Sequence, residues 1–231
     1  MMEYSTPNGH VVITIAGRNY IIDTGSPLSF NFVGIRTLEI EGRAFSFSSA
    51  QLCSKEEADE LTGIDIAGLI GTDILKKSGL TIEPETGTLD FSADSAAIDP
   101  GAYACLSFDY FMGQCLMTKD IFMGRRLRNA IIDTGAPVPY IAAELASFCE
   151  HTGERYEDYN PNFGSLRGEY LRGELTFAHC PQKVSRIINA GVMPERLRRA
   201  YGNTDAIFGV AALTDKKIIF DFDQKKIYVK I

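Results

Sequence analysis

The chain writes RNYIIDTGSP at residues 18–27 and RNAIIDTGAP at residues 128–137, the same ten letters except the third and ninth. A single Asp-Thr-Gly is an ordinary strand-ending turn. Two copies in matched surroundings mean that the chain contains a duplicated unit, with an Asp at the same place in each. The duplication continues downstream. LIGTDILKKSGLTIEPETGTLDF (69–91) aligns with IFGVAALTDKKIIFDFDQKKIYV (207–229) over 23 positions without a gap. Each segment opens on two apolar residues and a Gly and passes a short stretch ending at Leu75 or Leu213. Two strands then follow around a turn, Pro84–Gly87 in the first copy and Asp223–Lys225 in the second.

Around these elements the chain reads as predominantly β. VVITI, NYIID, RTLEI, RAFSFSS, YACLSF, CLMTKDIFM, GELTFA, KVSRII, KIIFDF and KIYVKI are short apolar or alternating runs between turn signals. Helices are few and short. SKEEADEL offers Ser54 as N-cap with Glu57 in the capping-box position, and MPERLRRAYG has Pro194 in a first turn and Gly202 as a stop. The polar, small-residue stretch SADSAAIDPGAY (92–103) separates the copies. The expected fold is therefore all-β, with two lobes over residues 1–95 and 102–231 related by a pseudo-twofold axis.

Composition removes several functions. A formal charge of −7 and a pI near 5.1 disfavour nucleic acid or an anionic membrane as partner, and no apolar run approaches the roughly 20 residues of a membrane span. The first residues, MMEYSTPNGH, lack the basic and apolar regions of a secretory signal. Cys53, Cys105, Cys115, Cys149 and Cys180 are an odd set without CxxC spacing, which favours a reducing cytoplasm over a disulfide framework. His10, His151 and His179 match no metal-ligand pattern, so neither metal nor cofactor is expected.

The chemistry follows from the paired Asp residues. In each copy an apolar strand runs directly into Asp-Thr-Gly, delivering a carboxylate to a tight turn whose Gly permits close backbone approach and dihedrals closed to other residues. Two lobes facing each other would bring Asp23 and Asp133 together, within about 3–4 Å. Carboxyls that close cannot both ionise; they share a proton, one serving as general base toward water and the other as general acid toward a carbonyl oxygen.

This arrangement resembles the aspartic peptidases of the pepsin and retropepsin families. The resemblance rests on the two IIDTG elements and on LIG and IFG, and it covers nearly the whole chain. Within it, the chain looks most like a fused, single-chain retropepsin. The resemblance implies that Asp23 and Asp133 activate the attacking water and that Thr24 and Thr134 cross-brace the two loops. It further implies that Gly25 and Gly135 contact an extended peptide or unfolded-protein substrate. At the next position Ser26 faces Ala136. A hydroxyl bonded to the neighbouring carboxylate would favour its charged form, and only one lobe has one, so a less acidic pH optimum than pepsin's is expected. One chain carries both Asp residues, so a monomer suffices.

A hairpin must close over such a site to exclude water. Between Gly25 and Gly71 lie 45 residues, and between Gly135 and Gly209 lie 73. The longer segment contains RYEDYNPNFGSLRGEYLRGELTFA (155–178), with aromatic residues before a Pro-Asn-Phe-Gly breaker. The second lobe is thus expected to supply a single flap, with Tyr159, Phe163 and Gly164 near its working end. The alternative to an endopeptidase is a non-catalytic peptide-binding or scaffolding module on the same fold.

Overall fold

Both copies of the phrase form the same local structure in the computed structural model, which describes residues 1–94, 98–113, 115–160, 163–180 and 184–231. β-Branched and apolar residues give the strands Arg18–Ile22 and Ala130–Ile132. Each lies parallel to the strand of its own downstream element, with Ile22 beside Ile70 and Ile132 beside Phe208. All four side chains are fully buried. Burial on both faces is why these strands read as unbroken apolar runs. A single helical turn follows each, Thr72–Leu75 and Val210–Leu213, where the sequence shows only an undefined stretch ending in Leu.

The halves meet in one antiparallel sheet of six strands. Met2–Ser5, Thr88–Asp90 and Leu80–Glu83 come from the first half; Ile218–Asp221, Lys226–Lys230 and Tyr103–Phe111 come from the second. The central pairing has Leu80 opposite Phe220 and Ile82 opposite Ile218. In the gapless alignment residue 80 corresponds to 218 and residue 82 to 220, so a twofold rotation exchanges these two pairs. The pseudo-twofold axis therefore passes between Leu80–Glu83 and Ile218–Asp221. Leu80, Ile82, Leu106, Phe220 and Ile227 belong to a core that runs continuously through both halves.

Local expectations meet the structure unevenly. The helix Lys55–Thr62 has its capping box: the Glu57 amide donates to the Ser54 hydroxyl and the Ser54 amide to the Glu57 carboxylate, with Gly63 left-handed at the end. In the helix Glu195–Ala200, Pro194 is the N-cap rather than the first helical residue. CLMTKDIFM is two strands, Cys115–Thr118 and Ile121–Met123, because buried Asp120 leaves the ladder to accept from the Ser107 amide and Arg126. GELTFA is the end of a much longer strand, Gly164–Phe177. Residues 95–97 of the inter-copy stretch lie outside the described residues.

The largest departure from symmetry is in the paired hairpins. In the first half, Thr37–Ile40 and Arg43–Ser46 make a short hairpin whose Leu38, Ile40 and Phe45 are buried in the main core. In the second half, Glu150–Asn160 and Gly164–Phe177 make a long one, bulged between His151 and Arg155.

The second copy of the phrase also has an electrostatic anchor. Asp205, fully buried, immediately precedes the strand Ala206–Phe208. Its carboxylate accepts from the Arg128 amide at 2.8 Å, from the Arg128 guanidinium at 2.7 Å and from Arg125 at 2.8 Å. Burial opposes the charge, but the Arg128 and Arg125 bonds outweigh it and hold this carboxyl well below the usual carboxylate range. Asp205→Ala should lower the unfolding free energy in chemical denaturation by about 2–4 kcal/mol at neutral pH. Because the folded-state pKa is depressed, this contribution is complete above the ordinary Asp pKa and fades as the pH falls below it. The wild-type and variant stabilities should therefore converge in acid.

Candidate active site

The two phrases end at a shared floor. The Asp23 and Asp133 amides donate to the carbonyls of Ile70 and Phe208 at 3.0 and 2.9 Å, continuing both parallel ladders into the loops. Each loop then reaches into the other. The Thr24 amide donates to the Thr134 hydroxyl and the Thr134 amide to the Thr24 hydroxyl, both at 3.0 Å. The Thr24 hydroxyl donates to the Ile132 carbonyl at 2.9 Å, and that of Thr134 to the Ile22 carbonyl at 2.8 Å. Both Thr residues are buried. These four bonds fix the two loops to each other with no water between them.

Gly25 and Gly135 have a different role from the one the tripeptide suggests. Neither adopts a positive φ. What they supply is room: a Cβ on Gly135 would lie 2.6 Å from the Asp23 carboxyl carbon, and one on Gly25 would collide with the carboxyl of Asp133. Each carboxyl packs over the opposite glycine, and the two hydrogen-bond each other.

The pair is unequal. One Asp23 oxygen accepts from the amides of Gly25 at 2.8 Å and Ser26 at 2.9 Å. The same oxygen of Asp133 accepts from Gly135 alone, at 2.9 Å; the Ala136 amide donates only to the Asp133 main-chain carbonyl, at 3.0 Å, whereas the Ser26 amide is shared between the Asp23 carboxylate and, at 3.3 Å, the Asp23 carbonyl. Both carboxyls keep an edge open to the cleft but sit deep in the protein, and burial raises both pKa values. Asp133, further raised by the charge of Asp23, rises the more. The pair therefore shares one proton, and the additional amide on Asp23 favours the charge on that side. The expected hydroxyl asymmetry is corrected here: the Ser26 hydroxyl donates to the Leu28 carbonyl at 2.9 Å, so the imbalance comes from a backbone amide.

A cleft of about 470 Å³ rises above this floor. Ile21, Phe30, Leu61 and Leu69 line it from the first half; Tyr140, Leu166, Leu197 and Ile207 line it from the second. Tyr159 is in its wall, beside Asp158 and Asn160. Phe163 and Gly164 are not. Phe163 lies against Arg196, whose guanidinium sits 5.8 Å from its ring centre, and Gly164 makes the left-handed turn of the hairpin with open space around it. Pro161 and Asn162 of the breaker lie outside the described residues. The shorter hairpin of the first half lines no part of the cleft.

Sequence reasoning missed several cleft residues. Tyr140 stands seven residues beyond Asp133, as Phe30 does beyond Asp23, so extending the repeated phrase by three residues would have found both. Asp158 takes the Tyr140 hydroxyl at 2.7 Å. His10 is buried in the cleft wall, and burial lowers its pKa. The thiols of Cys53 and Cys115 also line the cleft, pushed up by burial to about 11 and about 12. No sequence signal marks these three, because tertiary packing alone brings them there. Among the described residues, no group of three His, Cys, Asp or Glu side chains could hold a metal ion, and no helix is long and apolar enough to cross a membrane.

No protein-family model and no curated protein sequence matches the chain. Among solved structures, it is similar to basic 7S globulin from soybean over 99% of its own length and 94% of that chain, with a TM-score of 0.58 and 8% identity. The fold is the two-lobed, pepsin-like β fold. The narrower expectation of a single-chain retropepsin-like peptidase is corrected by the same finding. This nearly full-length likeness is to a globulin, and at this identity it carries the fold and nothing further.

Replacing the cross-brace should loosen the floor. Thr134→Val leaves the buried Thr24 amide and Ile22 carbonyl unpaired and should cost about 2–4 kcal/mol in chemical denaturation. In carboxyl-carbon NMR, Asp133 of the wild type should remain protonated above the ordinary Asp range. Asp23→Asn, which removes the neighbouring charge, should move that titration to lower pH.

Proposed function

We propose that the cleft takes an extended peptide and that the Asp23–Asp133 pair hydrolyses it as an aspartic-type endopeptidase. The observation that carries this reading is the pair itself: two carboxyls in mutual hydrogen bond, unequally supported, at the floor of an apolar cleft. Asp23, ionised, is placed to take a proton from a water molecule attacking the peptide carbonyl. Asp133, protonated, is placed to donate to the carbonyl oxygen as the tetrahedral intermediate forms. A proton then passes to the leaving nitrogen as the carbon–nitrogen bond breaks, and the pair returns to one shared proton. Two lobes in one chain supply both groups, so a monomer is sufficient. Apolar walls on either side of the pair favour apolar side chains flanking the cleaved bond.

The second reading is a peptide-binding or scaffolding module that does not cut. It is favoured by the likeness to basic 7S globulin. Both readings use the same cleft, and they differ in whether bound peptide is turned over.

A peptide library incubated from pH 3 to 8, with and without an aspartic-peptidase inhibitor, separates them. Cleavage between apolar residues is expected, suppressed by the inhibitor and abolished in Asp23→Asn and in Asp133→Asn. Peptides that bind wild-type protein and emerge intact at every pH would establish the non-catalytic module instead.

A further inference from the structure

Tyr159, on the outer strand of the long hairpin of the second half, donates its hydroxyl to Glu57 of the first half at 3.0 Å. The bond crosses the cleft, and the two residues are 102 positions apart in the chain. Glu57 is no ordinary surface carboxylate. It is the third residue of the helix Lys55–Thr62, and its other oxygen accepts from the Ser54 amide at 2.8 Å as part of the capping box. One oxygen thus fixes the carboxylate to the helix start and leaves the other aimed at the hairpin. The same segment, with Cys53 and Leu52 just before the helix and Leu61 within it, walls the first half's side of the cleft. On the hairpin, the Tyr159 amide donates to the Asp158 carboxylate at 2.8 Å, and Asp158 also holds Tyr140. The hairpin is therefore tied down on both sides of the cleft, to its own half through Asp158 and to the opposite half through Tyr159.

We propose that Tyr159 and Glu57 form a catch that closes the hairpin over the apolar pocket of Phe30, Leu61, Leu69 and Cys53. Glu57 is thereby a positioning residue for the peptide side chain that enters that pocket. The catch joins two half-buried groups with one charge-assisted bond, strong enough to favour closure and weak enough to release for entry. The proposal deepens the peptide-cleft reading and rests on it for the identity of the occupant, while the closure itself is measured without any cleavage.

Cys53 supplies the probe, because its thiol lies in the pocket beneath the catch. The full chain is exposed to a small alkylating reagent, and peptide mass spectrometry follows Cys53 and Cys149. Cys149 lies outside the cleft at the base of the hairpin, packed against Met123 and beneath Gly173, and reports opening that extends beyond the catch. Tyr159→Phe, which removes only the hydroxyl, should raise the Cys53 rate about 3- to 10-fold and leave the Cys149 rate unchanged. Glu57→Gln, which cannot present acceptors to both Ser54 and Tyr159, should act in the same direction. Ser54→Ala weakens the capping box but leaves the catch, and should have little effect on Cys53. An unchanged Cys53 rate in Tyr159→Phe overturns the proposal. So does a parallel rise at Cys149, or an effect of Ser54→Ala equal to that of Glu57→Gln. Loss of peptide cleavage in the wild type, with these rates as expected, would remove hydrolysis and leave the catch in place.

Discussion

Two carboxyl groups in direct contact cannot both carry a charge, and the organisation of this protein follows from holding them there. Left to itself, such a pair would separate into water. Here each is pinned by its own backbone amides and pressed over the glycine of the opposite loop. The loops are in turn bolted together by the reciprocal Thr24–Thr134 bonds, whose donors and acceptors are all buried. Those bonds require the strands behind them to arrive in mirrored register, and the shared six-stranded sheet supplies that register through the Leu80–Phe220 and Ile82–Ile218 pairs. Sheet, loops and carboxyls form one mechanical chain of constraint.

Much of this was legible in the sequence because the constraint acts on identity. At the floor Asp supplies the carboxyl, a Thr hydroxyl the brace and Gly the room, with apolar residues packed behind, and both copies spell IIDTG. The downstream elements were legible for the same reason: Gly71 and Gly209 pass so close to the Ser26, Leu28 and Ala136 carbonyls that a Cβ would collide. The dihedral argument for Gly25 and Gly135 failed because a close approach and a left-handed turn call for the same residue. The hydroxyl argument for Ser26 failed because a serine side chain has a competing acceptor two residues away, and that contest is decided by backbone geometry that no letter records.

The unreadable part of the site is the part built from long-range contact between unlike segments. His10, Asp158 and Tyr201 reach the cleft from a short turn, a hairpin and the end of a helix. None lies in a repeated phrase. Their residue types have many uses elsewhere in proteins, so only the assembled fold shows what they face. Hairpin length could be inferred from the 45- and 73-residue segments, but the position of each side chain could not. Tyr159 lines the cleft, while Phe163, four residues on and in the turn, packs against the second half's apolar cluster with Arg196 over its ring.

Duplication also explains why the site is unequal. Two identical lobes would give two identical carboxyls, with no preference for where the proton sits, and two equal hairpins competing for one space above them. Divergence has relieved both symmetries at small structural expense. The Ser26 amide reaches the Asp23 carboxylate as well as the Asp23 carbonyl, while its counterpart at Ala136 donates to the carbonyl alone, which favours the charge on Asp23. One hairpin is short, with Leu38, Ile40 and Phe45 buried in the core, and the other is long and reaches across the cleft. A pair of identical carboxyls still shares one proton but holds it equally on either side; the unequal amides here give the pair a preferred acid and a preferred base. A strand has a direction, and a cleft crossed by a single hairpin presents two different walls to it.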